Sequence, residues 1–238
     1  MAHENLIKYV GIALKGRFAY VCTELLSGGS MQDVIFGKGA REASADAPVE
    51  LPELPWSVRV FMARGTIHGL SYLHSKDVVH RDVKPDNVLL GNAWRCVLAD
   101  YGFARRAAAG TAMTICGTDE FMAPEVIWGE EYDTRADIFS FGMVLVELIT
   151  RRQIGKDGFL ERKPRNKFEL DMDELNEAIP EDCPPSFAEC ARQCLAYEPD
   201  ERLESEPVKD WLDDLWKEVC ETEGLDPEKP PSFPMPQF

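Results

Sequence analysis

The sequence predicts an α+β chain in which a small β element precedes a larger, mainly helical one. Three observations carry this. Short apolar runs within residues 6–25 break at Gly11 and Gly16, as two strands joined by a turn do. From Trp56 onward, apolar residues recur at three- and four-residue steps over long stretches. Residues 137–150 are apolar nearly all round, the pattern of a helix buried inside a helical domain. A chain of 238 residues can bury a sizeable core, and a composition of 45% apolar and 29% charged residues excludes a disordered or fibrous polymer.

After the first two strands, Gly28-Gly29-Ser30 offers a joint and a cap for a short helix over residues 31–36. Residues 37–55 are rich in Ala, Pro, Glu and Gly, lack periodicity, and read as a surface insertion. Val60, Ala63, Ile67, Leu70 and Leu73 make residues 56–75 a largely buried helix. Three short apolar runs, at 78–79, 88–90 and 96–99, surround a polar segment, and a loop held between strand ends is where catalytic side chains commonly sit. Further helices are expected at 173–179, 186–195 and 207–220. In the last, Val208, Trp211, Leu212, Leu215, Trp216 and Val219 form one core-facing stripe. The final stretch, 226–238, holds five prolines in thirteen residues and is expected to be extended or disordered.

The formal net charge of −16 argues against a chain that grips nucleic acid or anionic lipid. Much of the excess is local, with thirteen acids against four bases in residues 198–238, which reads as a solvated acidic face and tail. The longest nearly apolar run, 138–149, has twelve residues, whereas a membrane span needs about 20. No secretory signal is visible. Seven cysteines without a C-x-x-C pair suggest neither a disulfide framework nor a zinc ribbon, but the reduced thiols of a cytoplasmic protein.

The most informative segment is His80-Arg81-Asp82-Val83-Lys84-Pro85-Asp86-Asn87, which sets a carboxylate, an ammonium and an amide oxygen at fixed offsets. Asp100-Tyr101-Gly102 follows thirteen residues after Asn87, across two apolar runs able to turn back as a hairpin and bring the second carboxylate to the first site. Then comes Gly117-Thr118-Asp119-Glu120-Phe121-Met122-Ala123-Pro124-Glu125. In order and spacing these resemble the catalytic loop, metal-binding loop and activation-segment end of the protein kinases.

The resemblance implies a protein-kinase-like fold: a mainly helical large lobe (27–222), a remnant of the small β lobe with its hinge (1–26), and a Pro-rich acidic tail (223–238). It implies an enzyme that binds ATP and Mg2+ and phosphorylates protein hydroxyls. Asp82 would be the base, Lys84 would neutralise the transferring phosphoryl group, and Asn87 and Asp100 would supply hard oxygen ligands to Mg2+. Thr23 resembles the gatekeeper, the backbone of Glu24 and Leu26 would face adenine, and Leu89 would lie under its ring. Asp137 resembles the aspartate that caps the catalytic loop, and Glu125 and Arg202 a structural ion pair. Lys84 after Asp82, together with Thr118, resembles the serine/threonine class, and residues 117–125 most resemble the tyrosine-kinase-like group, LIM-kinase relatives included. A phosphate on Thr111 or Thr114 could pair with Arg81, Arg105 and Arg106. Thr118 reads as holding Asp82 and the substrate loop, His80 as packing, and His3 and His74 as ordinary partly buried imidazoles. The family's glycine-rich phosphate loop, strand lysine and partner glutamate have no counterparts here, and Lys8 and Lys15 are not in the right strand to replace them. The alternative expectation is therefore a kinase-like binding module with little transfer activity.

Overall fold

In a computed structural model, residues 2–37, 53–100, 105–106 and 120–235 are described. The α+β expectation holds: the described residues form three two-stranded antiparallel sheets and a helical body. Strand β1 (Tyr9–Lys15) pairs with β2 (Phe18–Thr23) across Gly16, whose φ of 60° suits a left-handed turn. This hairpin is exposed along almost its whole length, with Val10, Ile12, Leu14, Phe18 and Val21 all open to solvent.

Helix α1 (Met31–Phe36) starts at a reciprocal capping box. The Asp33 main-chain N–H donates to the Ser30 hydroxyl, and the Ser30 N–H donates to the Asp33 carboxylate at 2.9 Å. Of the expected insertion 37–55, residues 38–52 lie outside the described residues, and its end is not at the surface, because Leu54 is buried in the core. Helix α2 (Trp56–His74) then runs through the body, burying Val60, Ala63, Ile67, Leu70 and Leu73 as its periodicity predicts.

Short strands follow: β3 (Val78–Val79), β4 (Val88–Leu90), β5 (Cys96–Leu98) and β6 (Arg105–Arg106). β4 and β5 form a hairpin with Val88 opposite Leu98, while β3 pairs with β6, a pairing the sequence does not advertise. The chain entering and leaving the first hairpin grips both edges of β4–β5. Ile7 N–H donates to Leu98 O at 2.9 Å and Leu98 N–H to Asn5 O at 2.8 Å on one edge, and Gly28 N–H donates to Leu90 O at 3.0 Å on the other. Gly28 is needed there, since a Cβ would lie 2.5 Å from Leu90 O.

Helix α3 (Pro124–Trp128), not anticipated from periodicity because it is so short, begins at Pro124 and ends at Gly129 in a left-handed conformation. Helix α4 (Arg135–Thr150) is the centre of the body, with every residue from Ala136 to Ile149 buried. Around it stand α5 (Met172–Ala178), α6 (Pro185–Cys194) and α7 (Ser205–Glu223), within a turn of their expected bounds. α6 packs on α4, and α7 on α2. No helix among the described residues is long and apolar enough to cross a membrane.

Of the stretch 226–238, expected to be extended or disordered, residues 236–238 lie outside the described residues, and the rest makes a turn at 227–228 and packs on the body. Pro231 is buried, Leu225, Phe233 and Met235 pack against the core, and Trp216 Nε1 donates to Pro227 O at 2.9 Å. The tail packs because its apolar residues, interleaved with prolines, find two tryptophan edges, which composition alone does not reveal.

Candidate functional site

The site is assembled where the loop after β3, the hairpin β4–β5 and the start of α4 meet. Asp137, in the first turn of α4, is fully buried and receives three donors: His80 N–H at 2.7 Å, Arg81 N–H at 2.8 Å and His74 Nε2 at 2.9 Å. Burial pushes the Asp137 carboxyl up, but the His74 bond and charge, His80 and the Arg81 N–H outweigh it and hold the group below the ordinary carboxylate range. The two main-chain bonds matter because Arg81 has φ of 74°, an unfavourable left-handed conformation for a long side chain. Asp137 thus holds a strained backbone immediately before Asp82.

Asp82 is buried and central. Lys84 Nζ lies 3.0 Å from its Oδ2, and Asn87 Nδ2 donates to Oδ2 at 2.8 Å and to the Asp82 main-chain O at 2.7 Å. Asn87 stands at the end of a short 3-10 turn, Pro85–Asn87, leading into β4. Ala99 N–H donates to Asn87 O at 2.8 Å, so the hairpin brings Asp100 beside the Asp82 cluster. Asp100 is exposed, with φ of 59°. His80 is buried beneath, its Nε2 2.9 Å from Ala99 O; burial lowers its pKa below 6.5, against the pull of Asp137.

After β2, Leu26 packs with Leu89 on a small apolar cluster of Ile7, Val97 and Ala99, directly behind Asp100 in the chain. Glu24 N–H donates to Lys8 O at 2.9 Å, and the Glu24 carboxylate accepts Lys8 N–H at 3.0 Å. Thr23, at the end of β2, is exposed and stands with the open hairpin rather than the apolar cluster. Arg81 is half-buried. Thr111, Thr114 and Thr118 lie outside the described residues, as do Tyr101 and Gly102.

Three ties fix the segment from Phe121 to Glu125. Arg202 forms a buried, two-pronged pair with Glu125, Nη1 to Oε1 at 2.6 Å and Nη2 to Oε2 at 2.8 Å, and its Nε reaches Ala196 O. Ser140 Oγ donates to Phe121 O at 2.8 Å, and Arg162 Nη2 donates to Met122 O at 2.7 Å. His74 is the residue sequence reading undervalued: it is partly buried as expected, but its side chain is 5% exposed and bonded to Asp137, which makes it part of the frame. Its signal is only that it closes α2 six residues before His80; the partner is 63 positions away.

Comparison with known proteins gives the family. A family profile described as "Protein kinase domain" matches residues 1–216. A probable serine/threonine-protein kinase of Dictyostelium discoideum is 40% identical over 240 residues, covering 99% of this chain and 53% of the relative. A second from the same organism is 34% identical over 254 residues, covering 95% of this chain and 33% of the relative. A putative serine/threonine-protein kinase/receptor of Acanthamoeba polyphaga mimivirus is 34% identical over 220 residues, covering 90% and 12%. The chain thus spans about half, or less, of the length of these relatives.

Proposed function

Because the chain belongs to the protein kinase domain family, we propose that it carries the phosphoryl-transfer site of a serine/threonine protein kinase, moving the γ-phosphate of ATP to a protein hydroxyl. Residues 27–222 are its large lobe, 1–26 the strands and hinge that reach the nucleotide, and 223–238 an appended tail. The serine/threonine reading rests on Lys84 two residues after Asp82 and on the printed names of the relatives; the segment 117–125 supports a place in the tyrosine-kinase-like group.

Asp82 accepts a hydrogen bond from the substrate hydroxyl and takes its proton as that oxygen bonds to the γ-phosphorus and the bond to the β-phosphate oxygen breaks, ADP leaving. Lys84, already at that carboxylate, offsets charge on the phosphoryl oxygens without reorganising. Asn87 and Asp100 would suit Mg2+: both are hard oxygen donors, and because the Asn87 Nδ2 is engaged by Asp82, its amide oxygen is the atom that would meet a cation. Mg2+ so held supplies neutralising charge at the ATP phosphates. The main chain of Glu24 and Leu26 hydrogen-bonds adenine, Leu89 lies under the ring, and Thr23 borders it. Arg81 pairs with a phosphate on Thr111 or Thr114, Thr118 steadies Asp82, and the Glu125–Arg202 pair with Asp137 forms the frame.

The observation that carries the proposal is the Asp82 carboxylate, held with Lys84 and Asn87 within 3.0 Å on a backbone braced by Asp137. The test is Mg2+-dependent transfer from labelled ATP to a generic basic protein. Asp82→Asn should lower the rate about 100- to 10,000-fold with an unchanged unfolding midpoint. Equal rates for the two proteins would overturn the assignment.

A further inference from the structure

Resting on that reading, we propose that the packed tail, residues 225–235, is a strap that positions the nucleotide site through the turn of the β4–β5 hairpin. The turn needs holding. Each strand has only three residues, and a short two-stranded hairpin is marginal by itself. Ala93 and Trp94 are successive non-glycine residues with φ of 55° and 61°, a conformation that persists only where surrounding contacts impose it.

The tail makes those contacts. Trp94 is 1% exposed. Its indole N–H donates to Phe233 O at 2.8 Å, its main-chain N–H donates to Met235 Sδ at 3.5 Å, and its ring lies 6.4 Å from the Phe233 ring. The tail is tied down behind this point, where Leu225 N–H donates to Cys220 O at 2.8 Å and Trp216 Nε1 to Pro227 O. Five prolines within 226–238 restrict the free tail, so less chain entropy is lost on docking.

From the turn, two short paths reach the site. Arg95 Nη1 donates to Glu4 O at 2.8 Å and Nη2 lies 3.7 Å from the Glu24 carboxylate, so the next residue after Trp94 braces the hinge. Along the ladder, the pairs Leu90–Cys96, Leu89–Val97 and Val88–Leu98 lead directly to Asn87, one proposed Mg2+ ligand, and to Ala99, which precedes the other, Asp100. Phe233 and Met235 are therefore positioning residues, acting through Trp94 and Arg95.

The experiment uses the full chain with Phe233→Ala, Met235→Ala and, as a donor deletion that keeps an aromatic ring, Trp94→Phe. Amide exchange followed by mass spectrometry should speed up about tenfold over residues 88–98 in the first two while α4 stays protected. The KM for Mg2+·ATP should rise about fivefold with kcat within about twofold. Phe233→Tyr should restore both, and Lys229→Ala, an exposed tail position, should change neither. Faster exchange confined to 225–235, with the hairpin and KM unchanged, would overturn the strap. If the unaltered chain transfers no phosphate, the proposed function fails on its own, and exchange over 88–98 alone decides: faster supports the strap, unchanged overturns it.

Discussion

The hairpins β1–β2 and β4–β5 are both antiparallel and both turn through left-handed residues, yet they sit in opposite surroundings. β1–β2 has the longer ladder, with six paired positions, and its apolar side chains face water. β4–β5 has three pairs, its edges are gripped by residues 5–7 and 28–30, and four of its six side chains belong to the main core. A ladder hydrogen bond contributes about 0.5–1.5 kcal/mol net, whereas fully burying a Val or Leu side chain contributes about 1.5–3 kcal/mol. Burial, not ladder length, therefore decides which hairpin is the better held, and the proposed chemistry is mounted on the buried one.

The comparison can be broken most forcefully at the frame around the buried hairpin. Arg202→Ala would strand Glu125 as an uncompensated buried charge and should cost about 3–5 kcal/mol in urea unfolding; a loss typical of surface pairs would mean that water reaches the site. Next comes a matched pair of truncations. Leu98→Ala, at 0% exposure in β5, should cost about 2–5 kcal/mol, while Leu14→Ala, at 79% exposure in β1, should stay within about 0.5 kcal/mol. Equal costs would show that β1–β2 is covered in solution.

Two glycines sharpen the contrast on a smaller scale. A Cβ on Gly69 of α2 would lie 2.5 Å from Asn5 O, backbone that cannot rotate away, so Gly69→Ala should cost about 1–3 kcal/mol. Gly11→Ala in β1 meets nothing within 4 Å and should be close to neutral. The smallest effect is a pH dependence. His80 is held neutral by burial, its pKa lowered from 6.5, so the unfolded chain binds the extra proton first. Stability is full above 6.5 and declines as pH falls toward the lower folded value; a urea midpoint that rises on acidification from pH 7.5 to 5.5 would contradict this. Asp137 has the lowered pKa of a bonded carboxylate, so its contribution is lost only as pH falls below about 3.8.

Much of this was legible along the chain. The periodicities of α2, α4 and α7 are strong because each buries one face or, for α4, all of its surface, and residues 80–87 and 100 carry their chemistry at short range. Contacts across long separations left no local trace. His74 meets Asp137 across 63 positions, and Trp94 meets Phe233 across 139. The short helix α3 and the pairing of β3 with β6 escaped for a related reason: elements of five and two residues carry too little periodicity to be read.

By itself the sequence determined the alternation of strands and helices, the capping box at Ser30, and the order of carboxylate, ammonium and amide from Asp82 to Asn87, because each follows from residues within a few positions of one another. Only the tertiary structure decided which hairpin is buried, that Asp137 bears the strained backbone before Asp82, and that a tail rich in proline closes over Trp94. Those outcomes depend on side chains finding partners from distant segments, and the desolvation and hydrogen bonding that select such partners exist only once the chain has packed.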